Sequence, residues 1–510
     1  MKRSHIIIRN SFYNLLVPVW LLILNFISLP YIVRKLGEDS YGIFAIVSTV
    51  VGYFTFLNLG LGTAIQKYIS EYYAKKEFEV IRKIVSNALA VYGMMGMVGA
   101  IIITFLTKFL VYKALNIPAD LHSIAEFAFY VSAIGFLFSM PLSVFFSIPR
   151  SLQRFDIPAK LSLIIITLQI LLTVFLLYLG YSLKEIVVLN IVANIVNFLL
   201  LLIISKKLMP ELVINPSFDL KVILKLFKYS GFVSITNITK TFAVQFDRFI
   251  IGLFLPISQL TYYVVPYNFA RKLWLVPKNI VPVMLPVVSE LSTFNENKLI
   301  KELYLRSTKY ISAAVIPVSA VIIIFSRELL SYWMGASFAA KSTLTLQILT
   351  FSFFISTLGW TSVVVAQGMN RPDIPAFFHF GQAVVNVFLC ILLVPRIGIE
   401  GAAIAFGLNH IIFIPVFVYV IAKKLVGISL TEFIIKSFLS PIVLTVLIIP
   451  LAVMIKPFIS SLLALALAGL AAMIIYFVLF YFFVFDHRDK NILFDYLAKI
   501  RNLKALNFRH

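Results

Sequence analysis

The chain has 510 residues, of which 61% are hydrophobic and only 13% are charged. This composition excludes a water-soluble globular protein, because apolar stretches of about 20 residues recur throughout the chain and each is long enough to span a bilayer as a helix. The net charge of +22 is expected to lie in cytoplasmic loops and against anionic lipid headgroups, so it does not indicate nucleic-acid binding.

Hydropathy predicts an all-α polytopic membrane protein with fourteen transmembrane helices. Six of them lie near residues 12–33, 40–62, 84–107, 123–147, 160–180 and 185–205. Six more lie near residues 230–255, 264–292, 309–326, 345–367, 376–394 and 401–422, and two near 437–455 and 461–485.

The predicted helices define the domain organisation. We expect an N-lobe of helices 1–6 over residues 1–205, an interlobe linker over 206–229, a C-lobe of helices 7–12 over 230–422, helices 13 and 14 over 423–485, and a basic tail over 486–510. Lys and Arg are concentrated in alternate loops, and cytoplasmic loops retain positive charge. The linker, the tail and both termini are therefore predicted to be cytoplasmic.

A short motif occurs twice, as Arg154-x-Asp156-Ile-Pro-Ala between helices 4 and 5 and as Arg371-x-Asp373-Ile-Pro-Ala between helices 10 and 11. An offset of six helices places both copies on the cytoplasmic side and predicts a parallel duplication of two six-helix lobes. Chance is the alternative, since Pro is common where helices begin. Arg154, Asp156, Arg371 and Asp373 are candidates for a cytoplasmic gate.

Charged residues inside the predicted helices 7 and 8 are the strongest indication of a binding site, because each costs free energy in the bilayer unless it faces a cavity or a partner. Apart from Glu290 near the end of the predicted helix 8, five are basic and one is acidic: Lys240, Arg248, Arg271, Lys272, Lys278 and Asp247. A cavity lined by these bases would bind an anion, and phosphate fits the charge-assisted hydrogen bonds of Arg and Lys. Alternatively, Arg271 and Lys272 extend to lipid headgroups.

Other polar residues inside the spans suggest a path for a glycan or an ion. The amide side chains are Asn25, Asn58, Asn194, Gln382 and Asn386, which could bond sugar hydroxyls, although hydrogen bonds between helices are the default role of such residues. Asp247 and Glu126 are the candidate residues for a coupling ion. A sodium site is doubtful, since the predicted helix 11 offers amides rather than carboxylates.

Catalytic and metal-binding patterns were not found. The sequence contains no G-x-x-x-x-G-K-[ST] loop, the six histidines do not fall at metal-ligand spacing, and the single cysteine, Cys390, cannot form an intramolecular disulfide. The extracytoplasmic loops are too short to hold a catalytic domain. We therefore expect neither an enzyme nor a bound metal or cofactor.

Four segments carry a family resemblance: "LGEDSYGIFAIVSTVVGYFTFLNLGLGTAIQKYISE", "FDRFIIGLFL", "VPVMLPVVSEL" and "PRIGIEGAAIAFGL". In this order the chain resembles a polysaccharide flippase (O-antigen type, Wzx-like) of the multidrug/oligosaccharidyl-lipid/polysaccharide exporter superfamily. The resemblance implies two lobes in a V with two added helices, and alternating access. The family's acid and base of helix 7 correspond to Asp247 and Arg248.

The resemblance also implies a substrate and a location. The substrate would be an undecaprenyl-diphosphate-linked oligosaccharide, transported across the cell membrane for surface polysaccharide biosynthesis, with membrane lipids and polysaccharide polymerase machinery as further partners. Transport would be coupled to H⁺, Na⁺ or the membrane potential. The alternative within the superfamily is a cation-coupled multidrug exporter, which would be expected to have acidic and aromatic cavity walls rather than a surplus of bases.

Overall fold

The computed structural model describes residues 2–212, 215, 217–485 and 490, with the side chains of 2–16, 229 and 231–245 left out. These residues form helices and turns, and no strand occurs among them. Helices follow from the composition, because a backbone surrounded by lipid must satisfy its N–H and C=O groups within the same segment.

The helices have the following bounds: α1 Lys2–Leu36, α2 Glu38–Phe54, α3 Leu61–Ala74, α4 Phe78–Phe109, α5 His122–Ser151, α6 Asp156–Tyr178, α7 Leu183–Leu208, α8 Leu220–Phe254, α9 Ile257–Ala270, α10 Leu275–Ile280, α11 Met284–Thr293, α12 Asn297–Ile324, α13 Ser326–Trp333, α14 Ala336–Thr357, α15 Trp360–Gly368, α16 Asp373–Tyr419, α17 Leu430–Ile434, α18 Ser440–Ile455 and α19 Leu462–Phe483.

Eleven helical stretches of the described residues are long and apolar enough to cross a membrane. One of them, Asp373–Val426, has 54 residues, and it contains non-helical backbone at Ile397 and Gly398, where the φ of Gly398 is +66°. Because about 20 residues suffice for one crossing, this stretch is long enough for two. The chain is therefore a multi-pass membrane protein, while the count of fourteen stays a prediction.

Two predicted helices are broken in the structure. The predicted helix 2 bends through a 3₁₀ segment, Thr55–Asn58, and the left-handed residues Leu59 and Gly60 before α3 continues to Ala74. The predicted helix 8 consists of α9, a 3₁₀ segment at Arg271–Trp274, and the short α10 and α11. Proline lacks the N–H that a helix needs, so Pro277 and Pro282 each remove a helical hydrogen bond from this part of the chain.

Chain contacts divide the protein into two compact units. Unit 1 comprises Met1–Val264 and Ala383–Ala402, and unit 2 comprises Val265–Gln382 and Ala403–His510. In unit 1, α8 packs against α2, α3 and α4, and α5 packs against α4 and α7. In unit 2, α12 packs against α14 and α18. The predicted lobes are not tested by this grouping and stay a prediction.

Candidate functional site

The acid of α8 is fully enclosed in unit 1. Asp247 is 1% exposed, and its carboxylate accepts a hydrogen bond from the phenolic hydroxyl of Tyr263 on α9, a side chain that is itself 0% exposed. The backbone N–H of Arg248 donates a second bond to the same carboxylate at 2.8 Å. Adjacent helical side chains point about 100° apart, so the acid was expected to find its partner elsewhere, and that partner is Tyr263.

Two residues of α16 belong to the same unit as Asp247. The Cys390 thiol is buried and lies within electrostatic range of the Asp247 carboxylate. Asn386 lies one turn before Cys390, is 1% exposed, and neither amide atom has a hydrogen-bond partner among the described residues. A buried amide without partners costs free energy. The Asn386 amide can therefore still donate and accept hydrogen bonds at this position of α16.

The start of α8 is fixed to the end of α3 by a basic and aromatic contact. The Lys225 ammonium donates a hydrogen bond to the Tyr72 hydroxyl at 2.6 Å and lies 4.8 Å from the centre of the Tyr68 ring. The bond to Tyr72 raises the pKa of Lys225 above its usual value. Cation–π contacts of this kind stabilise a pairing by about 0.5–1 kcal/mol at exposed sites. The two contacts of Lys225 with α3 therefore help to orient α8, the helix that carries Asp247.

The bases of the predicted helix 8 lie on its irregular part in unit 2. Trp274 anchors the 3₁₀ segment by donating from its indole nitrogen to the Ser356 hydroxyl at 2.6 Å. Arg271, Lys272 and Lys278 are exposed instead, and none of them takes part in an ion pair of the described residues. Arg271 lies within electrostatic range of Lys272, so the segment concentrates positive charge.

The remaining two bases of the predicted stripe are on α8. Arg248 is partly buried in unit 1 and lies within electrostatic range of the buried Tyr41 on α2. The side chain of Lys240 lies outside the described residues. Of the five predicted bases, Arg271, Lys272 and Lys278 share one segment of unit 2, the irregular part of the predicted helix 8.

Unit 1 encloses a polar cavity of about 560 Å³ at the break between α2 and α3. It is lined by hydroxyl and amide side chains, by two phenylalanines and by one arginine: Thr55, Asn58, Thr63, Gln66, Ser139, Ser143, Ser147, Asn197, Phe56, Phe146 and Arg150. Among these, Asn58 was predicted from the sequence as part of a glycan path, and Asn197 shares a face of the predicted helix 6 with the predicted Asn194. Arg150 was missed because helix 4 was predicted to end at residue 147, whereas α5 continues to Ser151.

Several predicted polar residues bond to the protein itself. Asn58 accepts a hydrogen bond from the Tyr92 hydroxyl, and Asn25 donates to the Leu21 carbonyl one turn earlier at 2.7 Å. Gln382 pairs with His379 at 3.1 Å. These bonds agree with the default structural role of amides inside a bundle.

The side chains of the other two predicted residues of the first lobe have no hydrogen bond or ion pair among the described residues. Asn194 is exposed on α7, and Glu126 is partly buried on α5 without an ion pair among the described residues. The described residues also contain no group of three or more His, Cys, Asp or Glu side chains that could hold a metal ion.

The duplicated motif folds into the same backbone turn in both copies. The residue before each motif, Gln153 or Asn370, has a φ of +58°, and the two positions are 217 residues apart. The N–H of Arg154 bonds to the carbonyl five residues earlier at 2.9 Å, and the N–H of Arg371 does the same at 2.8 Å. The same turn also occurs at Lys76–Glu77 and at Asn295–Glu296, so it is a local feature of these helix ends and the duplication stays a prediction.

The side chains of the two copies also pair alike, but in different surroundings. Arg154 bonds to Asp156 at 3.0 Å, and Arg371 bonds to Asp373 at 2.8 Å. The Asp156 side chain is only 3% exposed, whereas the Asp373 side chain is 62% exposed. Exposed pairs are screened by water and contribute little to stability.

We therefore expect Arg154→Ala to lower the free energy of unfolding by about 1–3 kcal/mol, because it removes a charge-assisted bond to a buried carboxylate. Arg371→Ala, the matched control, should change it by less than about 0.5 kcal/mol. Thermal melting of the two purified variants in detergent measures the difference. Equal melting temperatures would contradict the argument from burial.

Comparison with known proteins gives a family and several relatives. The model of the family described as "Polysaccharide biosynthesis protein" matches residues 32–343. A protein of Shigella flexneri named "Putative O-antigen transporter" is 23% identical over 408 residues, which cover 80% of this chain and 95% of that protein. The "Probable low-salt glycan biosynthesis flippase Agl15" of Haloferax volcanii is 28% identical over 187 residues, covering 36% of this chain and 39% of that protein.

Two solved structures share the fold. The lipid II flippase MurJ in an inward closed conformation has a TM-score of 0.66 at 16% identity, covering 91% of this chain and 99% of that one. An inward-facing multidrug resistance MATE family transporter of the MOP superfamily has a TM-score of 0.68 at 14% identity, covering 79% of this chain and 96% of that one. At such identities the likeness concerns the fold alone.

Proposed function

The chain belongs to the polysaccharide biosynthesis protein family, and from this membership we propose that it is a flippase for an undecaprenyl-diphosphate-linked oligosaccharide. It would carry the glycan from the cytoplasmic to the outer leaflet by alternating access. The family and the named relatives are transporters and flippases of polysaccharide biosynthesis rather than enzymes, which confirms that part of the sequence prediction.

The observation that carries the proposal is the group of three exposed bases on the irregular segment between α9 and α11. Arg271, Lys272 and Lys278 lie in a region whose helix is interrupted by 3₁₀ turns. Unpaired bases inside a membrane protein favour an anionic ligand, since their charge is costly there unless it is compensated. A lipid diphosphate supplies two negative groups, and Arg can bond such oxygens through two parallel N–H groups.

The duplicated turn supports the transport mechanism. Two cytoplasmic turns with the same backbone bonds and the same Arg–Asp pair belong to two corresponding halves of a transporter, whose relative rocking would open the path to each side in turn. In this proposal Arg154 with Asp156 and Arg371 with Asp373 act as the cytoplasmic gate. Coupling to H⁺, Na⁺ or the membrane potential stays a prediction, with Asp247 and Glu126 as its candidates.

The test is lipid flipping in proteoliposomes. Vesicles would contain the purified protein and a fluorescent undecaprenyl diphosphate disaccharide, and dithionite would report the fraction of label in the outer leaflet. We expect Arg271→Ala and Lys278→Ala each to slow flipping by roughly tenfold, because each removes one charge-assisted contact to the diphosphate. Lys298→Ala, an exposed base of the same unit outside this segment, is the matched control.

Two results would contradict the proposal. The first is flipping by the wild-type protein at the rate of protein-free vesicles. The second is an equal rate for all three variants and the wild type. A multidrug exporter of the same fold would instead move a fluorescent organic cation in the same vesicles, and its transport would not depend on Arg271 or Lys278.

A further inference from the structure

The polar cavity of unit 1 has the size and lining of a ligand site. Its volume of about 560 Å³ falls within the range of about 300–1,000 Å³ that is usual for small-molecule sites. The cavity lies entirely within unit 1, between the broken α2–α3 helix, α5 and α7. The bases that carry the proposed function belong to unit 2.

Arg150 is the one charged residue among those that line this cavity. It lies in the last turn of α5 and is half-buried. Its guanidinium carbon lies 4.1 Å from the centre of the Phe146 ring. This distance is that of a cation–π contact, and the guanidinium carries five N–H donors for other hydrogen bonds. The position of the side chain is therefore set by packing against an aromatic ring.

The charge of Arg150 is not balanced by an acid of the cavity. No Asp or Glu lines it, and the described ion pairs and side-chain hydrogen bonds do not include the guanidinium of Arg150. Withdrawing such a charge from water without a partner costs free energy. An oxyanion offers the planar, bidentate pairing that the guanidinium lacks.

The rest of the lining fits a sugar. The amides of Gln66 and Asn197 can both donate and accept hydrogen bonds. The hydroxyls of Thr63 and Ser139 already donate to backbone carbonyls, but their oxygens can still accept a bond. A sugar ring presents hydroxyls that both donate and accept, and its apolar face can pack on an aromatic ring such as Phe56. The lining therefore combines one fixed positive charge with several groups suited to hydroxyls.

We propose that this cavity binds a sugar residue that carries an oxyanion, with the oxyanion on Arg150 and the ring hydroxyls on the surrounding amides and hydroxyls. The oxyanion is either the carboxylate of a uronic acid or a phosphate ester on the sugar ring. The assignment to a glycan rests on the proposed function. The binding itself is a property of unit 1 and does not require transport.

The test is equilibrium binding to the full-length protein in detergent, followed by saturation-transfer NMR. The probes are methyl galacturonoside, galactose 1-phosphate, methyl galactoside and inorganic phosphate. We expect one of the two charged sugars to bind at least roughly tenfold more tightly than both methyl galactoside and inorganic phosphate, since it adds a charge-assisted pair to the ring contacts. The preferred charged sugar identifies the source of the oxyanion.

Variants connect the binding to the cavity. Arg150→Gln should reduce the affinity of the charged sugar to that of methyl galactoside, whereas Arg82→Gln, an exposed arginine of the same unit outside the cavity, should leave it unchanged. Thermal melting shows whether Arg150→Gln is folded. If it is not, Asn197→Ala gives a second measurement, with an expected loss of about three- to tenfold for the sugars and none for inorganic phosphate.

Equal affinity for charged and neutral sugars would overturn the proposal, as would wild-type affinity in Arg150→Gln. Inorganic phosphate binding as tightly as the sugars would also overturn it. A failure of flipping with intact sugar binding would instead refute only the proposed function. The two proposals are therefore separable, because one is measured in vesicles and the other on the solubilised protein.

Discussion

Gly42→Ala is expected to lower the free energy of unfolding by at least about 3 kcal/mol, which is at the upper end of the cost of overpacking. Gly42 lies in α2, within one of the segments that carry the family resemblance. A Cβ atom there would lie 2.2 Å from the carbonyl oxygen of Ile257 at the start of α9, and 3.0 Å from its carbonyl carbon. Both atoms belong to the backbone and cannot move aside as a flexible side chain would.

The start of α9 is also held in place by hydrogen bonds. The N–H of Ile257 donates to the Asn116 carbonyl at 3.1 Å, and the Thr261 hydroxyl donates to the Glu38 carbonyl at 2.6 Å. Relieving the clash would therefore break these bonds as well. The expected result is a protein that is poorly extracted as a monodisperse species and that melts far below the wild type.

Gly93→Ala is the matched control for this prediction. Gly93 lies within α4, and no heavy atom lies within 4 Å of a Cβ built there. Alanine in a helix interior is favoured over glycine by about 1 kcal/mol, so this variant should be as stable as the wild type or slightly more so. Thermal melting in detergent compares the two variants. Similar melting temperatures for both would show that α2 and α9 are not in such close contact.

Asp247→Ala is the second substitution with a large expected effect, about 3 kcal/mol in the free energy of unfolding. It removes the acceptor of the buried Tyr263 hydroxyl and the negative charge beside Arg248. A buried donor that loses its acceptor costs about 1–3 kcal/mol, and the partly buried Arg248 loses the negative charge beside it. Asp247→Asn keeps an acceptor for Tyr263 and should therefore cost less than the alanine variant.

A double-mutant cycle tests the contact directly. Tyr263→Phe alone should cost about 1–2 kcal/mol, because the carboxylate loses one donor. Once Asp247 is alanine, the same substitution should cost less, since the hydrogen bond to the Asp247 carboxylate is already absent. Additive effects in thermal melting would contradict the hydrogen bond between these side chains. Flipping rates measured on the stable variants show whether Asp247 also serves transport.

The class of protein and the local pairing within the repeated motif were predictable from the sequence, while the duplication of two lobes stays a prediction. Hydropathy depends on composition over about 20 residues, so it identifies membrane-spanning segments without knowledge of their neighbours. The Arg-x-Asp-Ile-Pro motif likewise acts locally: the arginine and the acid two residues later bond to each other in both copies. Local chemistry of this kind is fixed by the order of residues along the chain, and the two turns are alike for that reason.

The bounds of the spans were less predictable. The breaks at Thr55–Asn58 and Arg271–Trp274 lie within apolar stretches that hydropathy reads as single helices. Because α5 continues to Ser151, Arg150 lies in a helix and lines a cavity, whereas the sequence placed it in a loop. Hydropathy is averaged over a window of residues. It therefore does not identify a single 3₁₀ turn within a span, or a helix end that includes a charged residue.

The partners of the polar residues were decided only by the tertiary structure. Asn58 bonds to Tyr92, Asp247 bonds to Tyr263, and Asn386 is buried without a partner among the described residues. The sequence shows that each of these side chains costs free energy inside a bilayer. It does not show which of them has a hydrogen-bond partner that offsets this cost. Compensation depends on distances between helices that are far apart along the chain, and those distances are set by packing.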